Sequence, residues 1–216
     1  MSRGYLISFE GLDGAGKTTQ IDLLVRWFKE QSLPYKRTRE PGGTSLGIEI
    51  RNLLFNRSDI TLTPLAEAFL FQADRAQHFA TLILPLLAQG THVITDRCFD
   101  SSIAYQGAAR GVGEALVERL SLIATQDYQP DLTLLLDLDP ANVGIRTDIT
   151  RNPGSQREHQ SRFDTESEQF QLSLRTAFME LAHKYPARIK VIDASLTPEQ
   201  VHQHIVRFVS ELLYKE

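Results

Sequence analysis

The sequence has few of the residues that stabilise secreted or metal-bound small proteins. Cys98 is its only cysteine among 216 residues, which excludes an internal disulfide and argues against a zinc–thiolate cluster. No apolar run approaches the ~20 residues that a membrane-spanning helix needs. The N-terminal segment enters a strand-like run at Tyr5 and lacks the features of a signal peptide. We therefore expect a cytoplasmic protein without a membrane partner.

The chain also lacks a surplus of basic residues. It carries 23 Lys and Arg against 27 Asp and Glu, a formal net charge of −4. Nucleic-acid-binding domains usually carry a basic excess, so the balance argues against DNA or RNA as a partner. A local cluster of arginines would still suffice to bind a small anion. The six histidines show no spacing typical of metal ligands.

Short apolar segments alternate with helical patterns along the chain. The segments typical of strands are Tyr5–Phe9, Tyr35–Arg39, His92–Thr95, Leu132–Leu138 and Ile189–Ile192. Periodicity indicates a helix starting near Lys17, a long one over about 64–88 kinked by Pro85, and a last one opened by a capping box at Thr197. This alternation predicts a parallel sheet covered by helices on both faces.

Residues 11–18 read Gly-Leu-Asp-Gly-Ala-Gly-Lys-Thr and match the phosphate-binding pattern G-x-x-x-x-G-K-[ST] in full. Glycines let successive backbone N–H groups surround phosphate oxygens, and the following helix points its positive end at them. Lys17 is expected to reach the β- and γ-phosphates of ATP, and Thr18 with Asp96 to bind Mg²⁺. The expected ATP contacts are Gly11, Leu12, Asp13, Gly14, Ala15, Gly16, Lys17, Thr18 and Thr19.

A P-loop occurs in several classes of protein. A switch GTPase would need an N-K-x-D motif, which the sequence lacks, and its only D-x-x-G lies inside the P-loop. A P-loop ATPase that is not a kinase needs an acid at a strand end, and both Asp96 and Asp137 meet that description. The ATPase class therefore stays open, as do kinases that phosphorylate other nucleotides or deoxynucleosides.

Further motifs fit a second, phosphorylated substrate. Arg39 precedes a Glu-Pro-Gly-Gly turn, and Arg97 follows the strand that ends at Asp96. Arginine is the natural bidentate partner of phosphate, and ligands of open α/β sheets bind at this edge. Phe69 and Phe71 cannot share a helix face, so we expect one in the core and the other against a base. The Glu40–Pro41 bond is a candidate cis peptide.

The ordered set of motifs resembles bacterial thymidylate kinases. It comprises residues 11–19, 39–44, 71–75, 96–97, 101–107 and 130–133. The resemblance implies a three-layer α/β P-loop kinase fold, with a five-stranded parallel sheet flanked by helices in one domain over 1–216. It further implies transfer of the γ-phosphate of ATP to dTMP with Mg²⁺, and a homodimer formed through the long helices.

The same resemblance implies roles for individual residues on the phosphate side of dTMP. Arg39 and Arg97 would hold the dTMP phosphate. Asp13 would face the sugar 3′-OH and the acceptor phosphate. Tyr105 would lie against the deoxyribose, where it would crowd a ribose 2′-OH.

On the base side, Phe71 would stack on thymine, and Ser102 and Gln106 would lie along the base. Arg75 would donate to O4 of the base. Because arginine is a donor only, it can donate to the O4 of thymine, whereas the N4 amine of cytosine would bring a second donor against it.

The polar segment over about 146–162 is expected to form a lid over the phosphates. Some thymidylate kinases carry an arginine at the P-loop position held here by Gly14, so the catalytic cation must come from elsewhere. The lid supplies Arg146, Arg151, Arg157 and Arg162, of which Arg162 ranks first and Arg151 second. The Ser-Arg-Phe-Asp run around Arg162 departs from the family's Asp-Arg-(Ile/Phe)-Glu. The expected catalytic set is Lys17, Arg97, Arg162, Arg151 and Asp13.

Overall fold

The computed structural model describes residues 3–57, 59–141 and 167–214. The strands are Leu6–Gly11 (β1), Tyr35–Arg39 (β2), His92–Asp96 (β3), Leu132–Asp137 (β4) and Ile189–Asp193 (β5). They form one sheet in the order β2-β3-β1-β4-β5, and every neighbouring pair is parallel. The predicted five-stranded parallel sheet is confirmed.

Helices cover both faces of the sheet. Within the described residues they are Lys17–Glu30 (α1), Ser45–Asn56 (α2), Pro64–His78 (α3), Leu84–Ala88 (α4), Phe99–Ser102 (α5), Glu114–Thr125 (α6), Glu168–Lys184 (α7) and Pro198–Leu213 (α8). Alternate strand residues face opposite sides: Ile7 joins a core with α1 and α8, whereas Leu6 joins one with α6 and α7. The three-layer α/β architecture is thus confirmed.

The long helix predicted over 64–88 is continuous but not uniform. A π-helical segment, Phe79–Ile83, separates α3 from α4. Pro85 lacks an N–H group, and its ring would crowd the carbonyl of Thr81 in an ordinary α-helix. The wider π turn immediately before Pro85 relieves that conflict, so the predicted disturbance takes the form of a π segment.

The predicted starts of the helix at about residue 64 and of the last helix after Thr197 are both confirmed. Thr197 accepts from the backbone N–H of Gln200, whose side chain accepts in return from the N–H of Thr197. Thr63 caps α3 with its side chain alone, which accepts from the backbone N–H of Ala66, and Pro64 lies in the first turn. None of the helices in the described ranges is long and apolar enough to cross a membrane.

The sheet topology fixes where a ligand can bind. β1 lies at the centre, and the chain leaves it toward β2 on one side and later returns to β4 on the other. In open α/β sheets the crevice at such a switch point, at the carboxyl ends of the strands, is the usual ligand site. Here those ends carry the P-loop after Gly11 and the Asp96–Arg97 pair.

Candidate active site

The P-loop joins β1 to α1 through backbone conformations that favour glycine. Gly11 has φ +130° and Gly16, the residue before α1, has φ +93°. A Cβ at Gly11 would lie 2.4 Å from the carbonyl oxygen of Leu136 in β4, so the turn requires the absence of a side chain. The first N–H groups of α1 have no partner within the helix and are free to bind an anion.

The Lys17 ammonium lies folded over the P-loop. Its Nζ donates to the carbonyl oxygens of Gly11 at 3.1 Å and Leu12 at 2.9 Å, and lies 3.6 Å from Asp13 Oδ1. Burial lowers the pKa of Lys17, and the nearby charge of Arg97 adds to that effect. Phosphate oxygens could replace these neutral carbonyl acceptors and bind the ammonium more strongly.

Two adjoining cavities open at this edge of the sheet. The P-loop cavity has a volume of about 640 Å³ and is lined by residues 13–20, Asp96 and the start of α8. The second cavity, about 580 Å³, is lined by side chains from α2, α3, α5 and the segment after α5. Their shared boundary consists of Asp13, Arg39, Glu40, Arg51 and Arg97. Molecules held in the two cavities would meet at this boundary.

The predicted ATP contacts divide between the cavity and its support. Residues 13–19 line the P-loop cavity. Gly11 and Leu12 lie behind it, and Leu12 is buried in the core against which the loop packs. Their part in the loop is therefore to shape it from behind.

Arg97 is held at the boundary by several partners. It follows β3 with φ +68°, and its Nη2 donates to Asp13 Oδ1 at 2.6 Å. Its Nη1 donates to Ser101 Oγ at 2.8 Å, and its guanidinium lies 5.2 Å from the ring centroid of Tyr105. Burial would raise the pKa of Asp13, but Arg97 and Lys17 outweigh it and hold that pKa well below its usual range.

Arg39 and Arg51 complete the cationic boundary. Arg39 ends β2, directly before the Glu40–Pro41 bond, which is cis as expected. Arg51 on α2 donates through Nη1 to the carbonyl oxygen of Pro41 at 3.2 Å. Sequence reasoning missed Arg51, because a charge beside the buried Ile50 reads as the solvated face of a helix. Only the fold of the Pro41 turn against α2 reveals it.

Glu10, near the end of β1, supports the turn that carries Arg97. Its Oε1 accepts from the backbone N–H of Cys98 at 2.7 Å, and its Oε2 accepts from Ser101 Oγ at 2.5 Å. Burial and the nearby carboxylate of Asp100 raise the pKa of Glu10 to about 8. Cys98 is also buried, and burial raises the pKa of its thiol, so little of the reactive thiolate forms in the folded protein.

Arg75 is buried in the wall of the second cavity. It donates from Nε to Glu40 Oε2 at 2.9 Å, from Nη1 to Gln72 and Ser121, and from Nη2 to Ser102 at 3.1 Å. Arginine has five N–H groups, so these four hydrogen bonds leave one N–H on Nη2. The residue is therefore both part of a buried ion pair and a donor with one unused N–H.

The two phenylalanines of α3 point in different directions, but not as expected. Phe71 lines the second cavity and lies edge-on to Phe55, with ring centroids 6.5 Å apart. Phe69 is 52% exposed, so the expectation that the other ring would pack in the core is wrong. α3 buries its other side against α2 and α6 and leaves Phe69 at the surface.

The remaining predicted substrate contacts lie at the end of α5, which holds Ser102, and on a second π-helical segment, Ile103–Ala109, which continues α5 and holds Tyr105 and Gln106. Such segments often occur at functional sites. Ser102, Tyr105 and Gln106 all face the second cavity. The structure thus brings the whole predicted acceptor set to this cavity: Asp13, Arg39, Phe71, Arg75, Arg97, Ser102, Tyr105 and Gln106. Their roles in binding remain predictions.

The predicted Mg²⁺ ligands offer oxygen donors of the right kind. Asp96 Oδ1 is buried without a hydrogen-bond partner among the described residues, and the Thr18 side chain is exposed beside it on the P-loop cavity. Asp137, the other strand-end acid, forms a two-point ion pair with Arg175 and lines neither cavity. Magnesium is usually held by one or two protein oxygens plus substrate phosphates and water, which Thr18 and Asp96 fit. No cluster of three or more potential ligands occurs in the part of the chain that is described.

The predicted lid lies outside the described residues. Arg146, Arg151, Arg157 and Arg162 all fall within 142–166, so their expected roles stay predictions. Near the expected phosphates, the described residues supply Lys17, Arg39, Arg51 and Arg97 as cations.

A parallel sheet with a P-loop at its switch point, beside a second cavity across an arginine-rich boundary, defines a phosphotransferase with separate donor and acceptor sites. Comparison with known proteins identifies the family. A profile of thymidylate kinases matches residues 9–205. The chain is 44% identical to a thymidylate kinase of Bifidobacterium longum, over 97% of this chain and 98% of that one. It is 42% identical to a thymidylate kinase of a Marinomonas species, over 97% and 96%.

A solved structure agrees. The crystal structure of a thymidylate kinase from Ehrlichia chaffeensis superimposes with a TM-score of 0.74 at 33% identity, over 96% of this chain and 99% of that one. The chain therefore belongs to the thymidylate kinase family.

Proposed function

We propose that the protein transfers the γ-phosphate of ATP to dTMP, forming ADP and dTDP. The observation that carries this proposal is the shared boundary of the two cavities, where Asp13, Arg39, Arg51 and Arg97 meet. A donor phosphate in one cavity and an acceptor phosphate in the other would come together among these arginines. Arginine pairs with phosphate through two parallel hydrogen bonds, and its charge does not titrate at neutral pH.

The P-loop cavity suits a nucleoside triphosphate. Backbone N–H groups and Lys17 supply the phosphate site. At its far end the cavity is lined by Ala194, Leu196, Pro198 and Val201, an apolar wall suitable for the flat face of a purine. Mg²⁺ bound by Thr18 and Asp96 would neutralise charge on the triphosphate.

The second cavity suits a thymine nucleotide. Phe71 offers an aromatic wall for a base, and Arg75 offers one unused N–H to an oxygen acceptor. Tyr105 lines the same cavity and lies against Arg97, so its ring is suited to contact the sugar that joins base and phosphate. The cavity thus offers an aromatic wall for the base, a tyrosine for the deoxyribose and arginines for the phosphate.

Transfer needs little covalent help from the protein. An oxygen of the acceptor phosphate forms a bond to the γ-phosphorus, the bond to the β–γ bridging oxygen breaks, and ADP leaves. Catalysis of this reaction consists mainly of alignment and of neutralising charge on the moving group. Arg97 is suited to bridge both phosphates, because Asp13, Ser101 and Tyr105 fix its position.

The exposed apolar residues support the expected homodimer. α3 packs beside both α2 and α6, and these three helices expose Leu46, Leu65, Phe69, Leu116 and Ile123. Large exposed apolar patches often mark protein interfaces, and a symmetric pair could bury this surface. Light scattering of the wild type and of Phe69→Ser would test it: the variant should shift toward the monomer.

One assay tests the proposed function against its alternatives. ATP consumption is measured with dTMP, dUMP, dCMP, deoxythymidine and no acceptor. The proposal predicts the highest kcat/KM with dTMP, and one dTDP formed for each ADP. Equal consumption without acceptor would indicate a non-kinase ATPase, and a faster reaction with another acceptor would indicate a different nucleotide or nucleoside kinase.

A further inference from the structure

Glu67 of α3 and Gln106 form a buried hydrogen bond at the wall of the second cavity. Gln106 Nε2 donates to Glu67 Oε1 at 2.8 Å, and the two residues are only 1% and 3% exposed. Arg110 Nε lies 3.7 Å from the same carboxylate oxygen. A carboxylate accepts but does not donate, so the amide must turn its NH₂ group toward it. The amide oxygen then lies on the side away from Glu67.

This orientation matters because an amide is otherwise ambiguous. Glutamine carries an acceptor and two donors at the same place, and rotating the amide by half a turn exchanges them. Arg75 has no such freedom, since every hydrogen bond it makes is a donation. Among Arg75, Gln106 and Phe71 at this wall, only Gln106 could form hydrogen bonds with either a 4-oxo or a 4-amino pyrimidine.

We propose that Glu67 is a positioning residue for pyrimidine specificity, holding the Gln106 amide so that its oxygen accepts from the N3–H of a 4-oxo pyrimidine. Thymine presents the O4 acceptor and the N3–H donor side by side, which complement Arg75 and the oriented amide. A 4-amino pyrimidine presents a donor and an acceptor in the reverse order and meets two mismatches. This inference rests on the proposed dTMP kinase activity.

The test compares dTMP with 5-methyl-dCMP, which has the same shape and a 4-amino group. In Glu67→Gln the partner of Gln106 can donate or accept, so the amide is free to turn. The ratio of kcat/KM for dTMP to that for 5-methyl-dCMP should fall about tenfold, the worth of about one hydrogen bond. An unchanged ratio in this folded variant would overturn the proposal.

A double-mutant cycle separates positioning from a merely structural role. In a Gln106→Leu background there is no amide to orient, so adding Glu67→Gln should leave the ratio within about twofold of that background. A further fall in the ratio as large as that caused by Glu67→Gln alone would mean that Glu67 acts independently of Gln106, and it would overturn the proposal. Glu118→Gln is the matched control, because Glu118 also pairs with a cation, Lys184, but lies outside both cavities. Its ratio should equal that of the wild type.

A reciprocal exchange keeps the test valid if Glu67→Gln unfolds. Glu67→Gln with Gln106→Glu retains one amide, one carboxylate and their hydrogen bond, and still offers an acceptor to N3–H. It should keep the dTMP preference, and a loss as large as that of Gln106→Leu would overturn the proposal. Wild-type enzyme without any preference for dTMP would instead contradict the proposed function. A wild-type preference that survives Glu67→Gln contradicts the inference about Glu67 alone.

Discussion

The two cavities that meet at Arg97 are built in opposite ways. In the P-loop cavity one contiguous run, residues 13–20, supplies the phosphate site, and that site is mostly backbone. The second cavity collects side chains from segments as far apart in sequence as Asp13 and Gln106. A backbone site depends on local conformation, whereas a side-chain site depends on the packing of the whole domain. Substitutions should therefore affect the two cavities differently.

Removing the positively charged side chain of the P-loop should produce the largest effect. Lys17→Ala should lower kcat by more than about a thousandfold, because backbone N–H groups alone cannot neutralise the transferring phosphoryl group. Binding of dTMP, measured by calorimetry, should change little, since Lys17 does not line the second cavity. Lys29→Ala, at an exposed site on the same helix, is the control. Transfer within about tenfold of wild type would contradict the role of Lys17.

Substitutions in the predicted lid should produce the second-largest loss of turnover. The P-loop has no arginine of its own at Gly14, and an arginine supplied to such a site can be worth about 10³–10⁵ in turnover. We expect an alanine variant of at least one of Arg146, Arg151, Arg157 and Arg162 to lose more than about a hundredfold in kcat with little change in the KM for dTMP. Arg162 is the first candidate. Arg207→Ala, which removes an exposed arginine from α8, serves as control. Near-normal kcat in all four variants would leave Lys17, Arg97 and the metal as the sources of charge.

A substitution in the second cavity should lower both the affinity for dTMP and the stability of the protein. Arg75→Ala should weaken dTMP about 10- to 150-fold, the value of a charged hydrogen bond of about 1.5–3 kcal/mol, while ATP binding changes little. It also leaves Glu40 buried without its main partner, which costs about 3–5 kcal/mol of folding free energy. Calorimetry with both nucleotides and a thermal melt measure the two effects.

The exposed Arg119→Ala provides the comparison for Arg75. Equal losses for dTMP and ATP would mean that Arg75 acts only through the fold. A loss of dTMP affinity without any loss of stability would contradict the buried ion pair with Glu40. Either result would remove the contrast between the two cavities.

This contrast also explains how much could be predicted from the sequence. The P-loop and the five strands follow from local pattern, and the strands differ from expectation only at their ends. β1 runs over Leu6–Gly11 instead of Tyr5–Phe9, β3 and β5 extend by one residue to Asp96 and Asp193, and β4 ends one residue early at Asp137. The acceptor residues could be named only because an ordered set of motifs resembles a family. Neither spacing nor periodicity brings Phe71 and Gln106 to one cavity.

Residues that act through other residues escaped sequence reasoning. Arg51 and Glu67 lie on helices where a charge usually marks a solvated face, and only tertiary contacts bring them to the site. Phe69 shows the converse error. An aromatic residue on a helix predicts burial, but its surroundings on α3 leave it exposed. In each case the information lies in the packing of elements distant in sequence.

The stability of the protein should depend on pH through Glu10, the residue that supports the turn carrying Arg97. Because burial beside Asp100 raises the pKa of Glu10 to about 8, the folded protein binds a proton there that the unfolded chain has already released. Wild-type stability should therefore decline as pH rises from about 5 to 8. Glu10→Gln removes this titration, so its melting temperature should fall less across the same range. Parallel melting curves for both proteins would contradict the raised pKa.

Cys98 should give the smallest effect, although it lines the second cavity beside Arg97. Its side chain is 1% exposed and packs in the core, and burial raises the pKa of the thiol, so little nucleophilic thiolate forms. Cys98→Ser should keep kcat and KM within about twofold, because the support from Glu10 reaches Cys98 through its backbone N–H and not its thiol. A thiol reagent should modify Cys98 only as fast as the protein unfolds, with the same rate in the presence of dTMP once stability is matched. Rapid modification of the folded protein that dTMP blocks would show that the thiol is open to the acceptor site. The second cavity would then be less tightly packed around the acceptor than the buried contacts of Arg75 and Glu10 indicate.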